Sequence, residues 1–373
     1  MLQKSNTIEK KHKFQVKMFK NVEIPIFYAH SYMNHNVKEN IMDNLKKVGL
    51  TALAGSLAAV SANAAEMSVS GATLLTYTSE DGTEVTGNPW GMKTNLAFTA
   101  SGDVNGMTVS YMQASQDQFA GMSSARLSID MGDMGVLAFD QGSGSGLGTI
   151  DDKTPTAAEE IWDGLDGTTV GGLVGAAGSS GVFNYVKTVA GITFNGAARK
   201  GSGTKNADGA SSGAGESAWD FALTGTGEMF GVDGLSWGAG HGVAETGSQA
   251  NTGGEPGDTE HFTGFITYAM GPMTVGYQES HIDNGDVGGT NETAQAWGVA
   301  FNVNENLSVS YGEREVEFSK ASADHVTEDG EGLAVAYTMG SMKIAGNMNE
   351  VSNNNGTADS NDEMTEIAIS FAF

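Results

Sequence analysis

Few side chains in this sequence are spaced for bond-making chemistry. The four histidines beyond residue 64 (His241, His261, His281, His325) lie far apart, with no pair four residues apart to bind a metal from one helix face. Cysteine is absent, which removes disulfides and thiolate-ligated metals together. Gly142-Ser143-Gly144-Ser145-Gly146-Leu147-Gly148 is glycine-rich but lacks the Lys-Ser/Thr of a phosphate loop, and reads as a flexible loop entry. No Gly-x-Ser-x-Gly elbow precedes a helix, and no other convincing nucleophile–base arrangement stands out. Asp283-Asn284-Gly285-Asp286 and Asp359-Ser360-Asn361-Asp362-Glu363 offer the oxygens that calcium takes, without the EF-hand spacing. No cofactor is expected; calcium in these acidic loops is the lesser reading.

One dense group of like charge remains. Between 143 and 180 stand Asp151, Asp152, Glu159, Glu160, Asp163 and Asp166 against Lys153 alone. A short helical turn over Thr156-Ala157-Ala158-Glu159-Glu160-Ile161-Trp162 would bring Glu159 and Asp163, four residues apart, to one side. Carboxylates gathered in this way concentrate cations in a confined space. In an open loop they only aid solubility. The elements that carry the run decide between the two.

The chain has 373 residues, room for one large domain or two ordinary ones. Charged residues make up 17% and hydrophobics 39%, both low, which argues against a coiled coil and a helical membrane bundle. No run approaches the roughly 18 apolar residues of a spanning helix. The formal charge of −26 repels phosphate backbones, so no nucleic-acid partner is expected.

That charge is uneven. Residues 1–64 hold nine lysines and four acids, whereas the rest holds ten Lys/Arg and 41 Asp/Glu, a net of −31. Met42 opens a compact pattern: Lys46 and Lys47, then an apolar and small-residue stretch over 48–60, then Ala62-Asn63-Ala64. This is the layout of a secretory signal peptide over 42–64. A short buried helix is the plainer reading, but it leaves the Ala-x-Ala ending and the charge switch unexplained. Residues 1–41 are an extension of the signal or the product of an upstream start codon, the second being preferred. The working region is then 65–373, outside the cytoplasm.

Beyond Ala65 the apolar residues recur at every second place. Met107-Thr108-Val109-Ser110-Tyr111, Met273-Thr274-Val275-Gly276-Tyr277, Leu307-Ser308-Val309-Ser310-Tyr311 and Leu333-Ala334-Val335-Ala336-Tyr337 all follow this rule. Successive side chains of a strand point to opposite faces, so each segment has one apolar and one small or polar face. Connections alternate between tight Gly/Asn/Asp/Pro turns and longer polar stretches: 78–92, 114–124, 143–180, 201–216, 246–260, 279–292, 314–331 and 351–362. About sixteen strands fit between them.

Two architectures fit such strands: a soluble sandwich or solenoid with an apolar core, or a membrane barrel with lipid outside and a polar lumen. The second faces are Ser, Thr, Ala, Gly and Asn, too small and polar for the inside of a sandwich. Short turns alternate with long loops, the asymmetry of a barrel. Tyr77, Tyr111, Tyr277, Tyr311 and Tyr337 recur near segment ends, as interfacial girdles do. The expected fold is therefore all-β, a transmembrane antiparallel barrel.

The chain ends Thr365-Glu366-Ile367-Ala368-Ile369-Ser370-Phe371-Ala372-Phe373, with perfect alternation and a terminal Phe. This resembles the last strand of bacterial outer-membrane barrels, which the barrel-assembly machinery reads; Ile369, Phe371 and Phe373 would carry that signal. With Ala65-Glu66-Met67-Ser68-Val69-Ser70-Gly71 and the hairpin Leu127-Ser128-Ile129-Asp130-Met131-Gly132-Asp133-Met134-Gly135-Val136-Leu137-Ala138-Phe139, the whole region beyond the signal resembles the general porins of Gram-negative bacteria, of the alphaproteobacterial type. The resemblance implies a sixteen-stranded, commonly trimeric barrel in the outer membrane that passes small hydrophilic solutes. It also implies a third loop folded into the lumen, and 143–180 is the third long stretch and the longest.

On that reading Asp151, Asp152, Glu159, Glu160, Asp163 and Asp166 form an acidic lip on a constriction. Alternation from Leu96 and Phe98 turns Lys93 to the lumen, and likewise Arg126 from Leu127 and Ile129, and Arg199 from Ile192 and Phe194. The family's basic cluster is richer in arginine, whereas the region beyond residue 64 has only Arg126, Arg199 and Arg314. The pore is thus expected to prefer cations. A secreted or cell-surface sandwich or adhesin is the rival reading. A barrel enzyme such as a lipase would need a Ser–His or Asp–His pair that the sparse histidines do not offer.

Overall fold

A computed structural model of the chain describes residues 66–80, 87–115, 122–165, 180–201, 217–245, 257–285, 290–319 and 326–373. The segment 42–64 expected to be a signal peptide, the stretch 1–41, Asp166 and His325 lie outside the described residues.

Sixteen strands follow one another: β1 (Glu66–Glu80), β2 (Trp90–Val104), β3 (Met107–Ser115), β4 (Met122–Asp130), β5 (Val136–Gln141), β6 (Ser180–Val189), β7 (Ile192–Arg199), β8 (Ala218–Thr226), β9 (Leu235–Ala244), β10 (Thr259–Met270), β11 (Met273–Asn284), β12 (Asn291–Asn302), β13 (Leu307–Ser319), β14 (Glu328–Met339), β15 (Met342–Ser352) and β16 (Asp362–Ala372). Each pairs antiparallel with its sequence neighbours, and β16 returns to β1 to close the barrel. The closing ladder runs from Ala72↔Ala372 to Glu80↔Met364, and Gly71 and Phe373 exchange two backbone hydrogen bonds of 2.9 Å each. Closure leaves no unpaired edge, which overturns the sandwich reading.

The alternation read from the sequence is the alternation of the wall. Tyr77, Tyr111, Tyr277 and Tyr337 stand exposed on the outside, as do Phe371 and Phe373 of the chain terminus. Aromatic pairs such as Tyr77–Trp90 and Phe139–Phe183 join neighbouring strands there. The phenols bridge apolar and polar zones: Tyr277 donates to Glu279 and Tyr311 to Glu313, each at 2.8 Å.

The strands reach further than the polar stretches predicted. β11 continues to Asn284 and β13 to Ser319, across the expected loops 279–292 and 314–331. Their outward positions there are Glu279, Glu313, Glu315 and Glu317, so the apolar half of the alternation disappears while the ladder goes on. The short turns use glycine where the backbone must turn left-handed, as at Gly191 (φ 82°) and Gly340 (φ 62°).

Candidate pore constriction

The third long loop (L3, residues 142–179, of which 142–165 are described) leaves the wall after β5 and turns into the lumen. Arg126 on β4 and Asp140 on β5 occupy paired positions on the inner face, and their side chains meet at 3.4 Å. Asp140 is fully buried and accepts from the Ser143 amide (2.9 Å) and the Ser145 hydroxyl (2.6 Å). Arg126 also donates to the Gly144 carbonyl at 3.1 Å and to Asn184 on β6. The loop can then turn only through glycine. Gly146 has φ 58°, and a Cβ on it would fall 1.7 Å from an Asp220 carboxylate oxygen.

Leu147 and Ile150 follow, both essentially inaccessible, and pack against Ala222, Ala294, Ala296, Val316 and Phe265 of the inner wall. Backbone groups of L3 are then met one by one. Gln278 on β11 donates to the carbonyls of Ile150 (2.9 Å) and Asp151 (3.0 Å) and accepts from the Lys153 amide (2.8 Å). Ser310 on β13 accepts from the Ala157 amide at 2.8 Å. Asn349 on β15 donates to the carbonyls of Glu160 (3.0 Å) and Asp163 (2.9 Å). Buried backbone groups away from water need such partners.

Between these side chains lies a groove without side chains. Gly276, Gly298, Gly312 and Gly332 are successive ladder partners across β11, β12, β13 and β14. Pro155 rests over the first two and Ile161 over the last two. A Cβ on Gly298 would meet the Pro155 carbonyl at 2.8 Å, and one on Gly332 would meet the Ile161 Cβ at 2.8 Å. Trp162 lies over the Arg314 guanidinium at 5.2 Å, and Gly164 packs on Met364 of β16. The described part of L3 thus follows the inner wall from β7 to β16.

The opposite wall has a different chemistry. From β1 to β4 its inward positions include Ser68, Ser70, Thr76, Thr99, Ser110 and Ser128, with Lys93 among them. Ser68 and Thr99 hydrogen-bond at 2.6 Å.

Five of the six expected acids stand on the described part of L3. Burial within the lumen holds the Asp151 carboxyl above its ordinary range. Asp152 is pushed up to about 7, first by burial, then by its hydrogen bond to Glu160 and the charge of that group. Burial and then Asp163 raise Glu159; burial and then Glu366 and Glu160 raise Asp163. The cations that pull the other way are Lys153 for Asp151 and Asp152, Lys93 on β2 for both Glu159 and Asp163, and Lys343 on β15 for Glu159.

Of the three basic residues expected on the wall, Lys93 faces these acids. Arg126 is turned inward but engaged with Asp140 at the root of L3, its side chain 21% exposed. Arg199 points inward at the loop end of β7, opposite Ala218, and forms no ion pair among the described residues. Lys343, Glu366 and Arg314 were not singled out from the sequence. The alternation of Met342-Lys343-Ile344 and Thr365-Glu366-Ile367 carried the signal for two of them. The helical turn expected from Thr156 to Trp162 does not form. The Thr156 hydroxyl instead accepts from the Ala158 amide at 3.1 Å and donates to the Glu159 carbonyl at 2.7 Å, and a backbone turn follows, closed by Asp163 N–H to Glu160 C=O at 3.0 Å. Among the described residues no three His, Asp or Glu side chains are grouped to hold a metal ion.

Comparison with known proteins rests on shape. No protein-family model matches the chain, and no curated protein sequence is detectably similar to it. Solved structures are similar. The outer membrane channel DcaP of Acinetobacter baumannii superposes with a TM-score of 0.61 at 13% identity, over 83% of this chain and 97% of its own. An anion-selective porin from Comamonas acidovorans does so at 0.58 and 13% identity, over 83% of this chain and all of its own. The fold is that of a porin. A loop-deletion form of OmpT, an outer membrane protein of Vibrio cholerae, agrees at 0.59 and 15% identity, with coverage of 83% and 100%. With identities this low, the porin fold is common ground while the side chains of the constriction are this chain's own.

Proposed function

We propose that this protein is an outer-membrane channel of a Gram-negative bacterium that passes small hydrophilic solutes by diffusion and prefers cations. The observation that carries the reading is the constriction itself. Asp151, Asp152, Glu159, Glu160 and Asp163 on L3 share the lumen with Lys153, Lys93 and Lys343, while Arg126 is paired with Asp140 and Arg314 with Glu328. A narrow site lined mainly by one sign of charge enriches the opposite ion. The porin fold does not set that sign, since the Comamonas porin is named for anion selectivity. Water-filled passage needs no catalytic group, so an enzyme is not proposed.

Three copies assembling as a trimer, export through the 42–64 signal, and insertion by the barrel-assembly machinery through Ile369, Phe371 and Phe373 complete the proposal. The outward exposure of Phe371 and Phe373 on the last strand supports the last point. Reversal potentials in planar bilayers under a salt gradient test the selectivity. Exchanging Asp151, Asp152, Glu159 and Glu160 for Asn or Gln is expected to move the potential toward anions; no movement overturns the constriction assignment.

A further inference from the structure

Two of the three arginines beyond residue 64 are withdrawn from the lumen's free surface, and both fasten L3. Arg126 holds its first residues. Arg314, on β13, is 5% exposed and is fixed from the wall side by Glu328 on β14, with an N–O distance of 3.5 Å. Its guanidinium faces the Trp162 ring, itself 8% exposed, at 5.2 Å. An arginine held by a carboxylate behind and an aromatic face in front has little freedom, and the attraction is strongest where water is excluded.

Trp162 sits among the charges proposed to select ions. Glu159 and Glu160 precede it and Asp163 follows it. On either side the backbone is tied to Asn349 through Glu160 and Asp163, and Ile161 fills the notch over Gly312 and Gly332. These ties hold carbonyls and an aliphatic side chain. Trp162 is where the acidic segment itself meets a fixed cation of the wall.

We propose that Trp162, seated on Arg314, is a positioning residue for the constriction: it keeps Glu159, Glu160 and Asp163 turned to the pore. The proposal rests on the selectivity reading above. The barrel wall does not depend on this contact, because its ladders close without L3.

The test uses the full-length protein, folded in detergent and inserted into planar bilayers. Trp162→Ala is expected to keep the parent's heat-dependent shift in SDS mobility, to lower the cation-over-anion permeability ratio at least twofold, and to change single-channel conductance. Trp162→Phe, which keeps a ring over the guanidinium, is expected to restore both. In a Glu159→Gln, Glu160→Gln, Asp163→Asn background, Trp162→Ala should change the ratio no further. A Trp162→Ala barrel with the parent's ratio and conductance overturns the proposal, as does one that no longer folds, since a positioning side chain is not needed for the wall. If neutralising the three acids leaves the parent's ratio unmoved, the selectivity reading fails by itself. Conductance then decides the latch: a change reversed by Trp162→Phe supports it, and an unchanged value overturns it.

Discussion

Arg126 and Asp140 face each other at 3.4 Å across the β4–β5 ladder, and both side chains, on the inner face, are engaged by the first residues of L3. A lumenal cation expected to face the solute is instead neutralised at the loop's root. The charge balance of the pore and the anchoring of L3 therefore have one cause.

Arg126→Met leaves Asp140 buried without its cation. Breaking such a pair costs about 3 kcal/mol. The loop root is expected to open more often, and limited proteolysis of the detergent-solubilised barrel should cut within residues 142–165 sooner than in the parent. Equal cleavage rates would remove Arg126 from the anchoring role.

Gly298→Val places side-chain atoms where the Pro155 carbonyl lies 2.8 Å from the Cβ position. L3 has to move toward the pore axis, so single-channel conductance should fall. Gly264→Ala on β10 is the control, because its Cβ would have nothing nearer than 3.6 Å. It is expected to conduct like the parent.

Asp152, with Glu160 beside it, keeps its proton to about pH 7. Cation preference should therefore rise between pH 6 and 8 as this carboxyl ionises, and Asp152→Asn should flatten the step in reversal potential. The sign for stability is opposite. The folded loop binds this proton more tightly than the unfolded chain, so the group stabilises L3 below its unfolded value of 3.8 and that contribution is lost as pH rises through about 7.

Lys93→Gln removes the wall cation that faces both Glu159 and Asp163. The cation-over-anion ratio is expected to increase, and further with Lys343→Gln. Both effects should shrink from 0.1 M to 1 M salt, where the screening length falls from about 10 Å to about 3 Å. A ratio insensitive to both lysines would place the selective step elsewhere.

Period-two alternation is a local property of the backbone, so the strand class, the outward tyrosines and the lumenal side of Lys93 and Arg126 were legible without any contact. Where the outward face became charged, at Glu279 and at Glu313, Glu315 and Glu317, apolar residues no longer marked the outer face (Val316 is turned inward), and the strands read as loops. The helical turn at Glu159 was a sound local expectation; the Thr156 hydroxyl bonds the Ala158 amide and the Glu159 carbonyl instead, while Asn349 and Ser310, more than 150 residues away in the chain, hold the neighbouring backbone to the wall.

Residue order alone determined an alternating all-β chain of about sixteen strands with an acidic third loop, because alternation and spacing are local features. Tertiary structure decided where that loop rests. Gly276, Gly298, Gly312 and Gly332 are unevenly spaced in sequence and become one groove only when ladder register aligns them. Arg314 and Trp162 likewise meet only because barrel closure curves β13 behind L3. Register and closure are set by pairing over the whole wall, so no local stretch of sequence contains them.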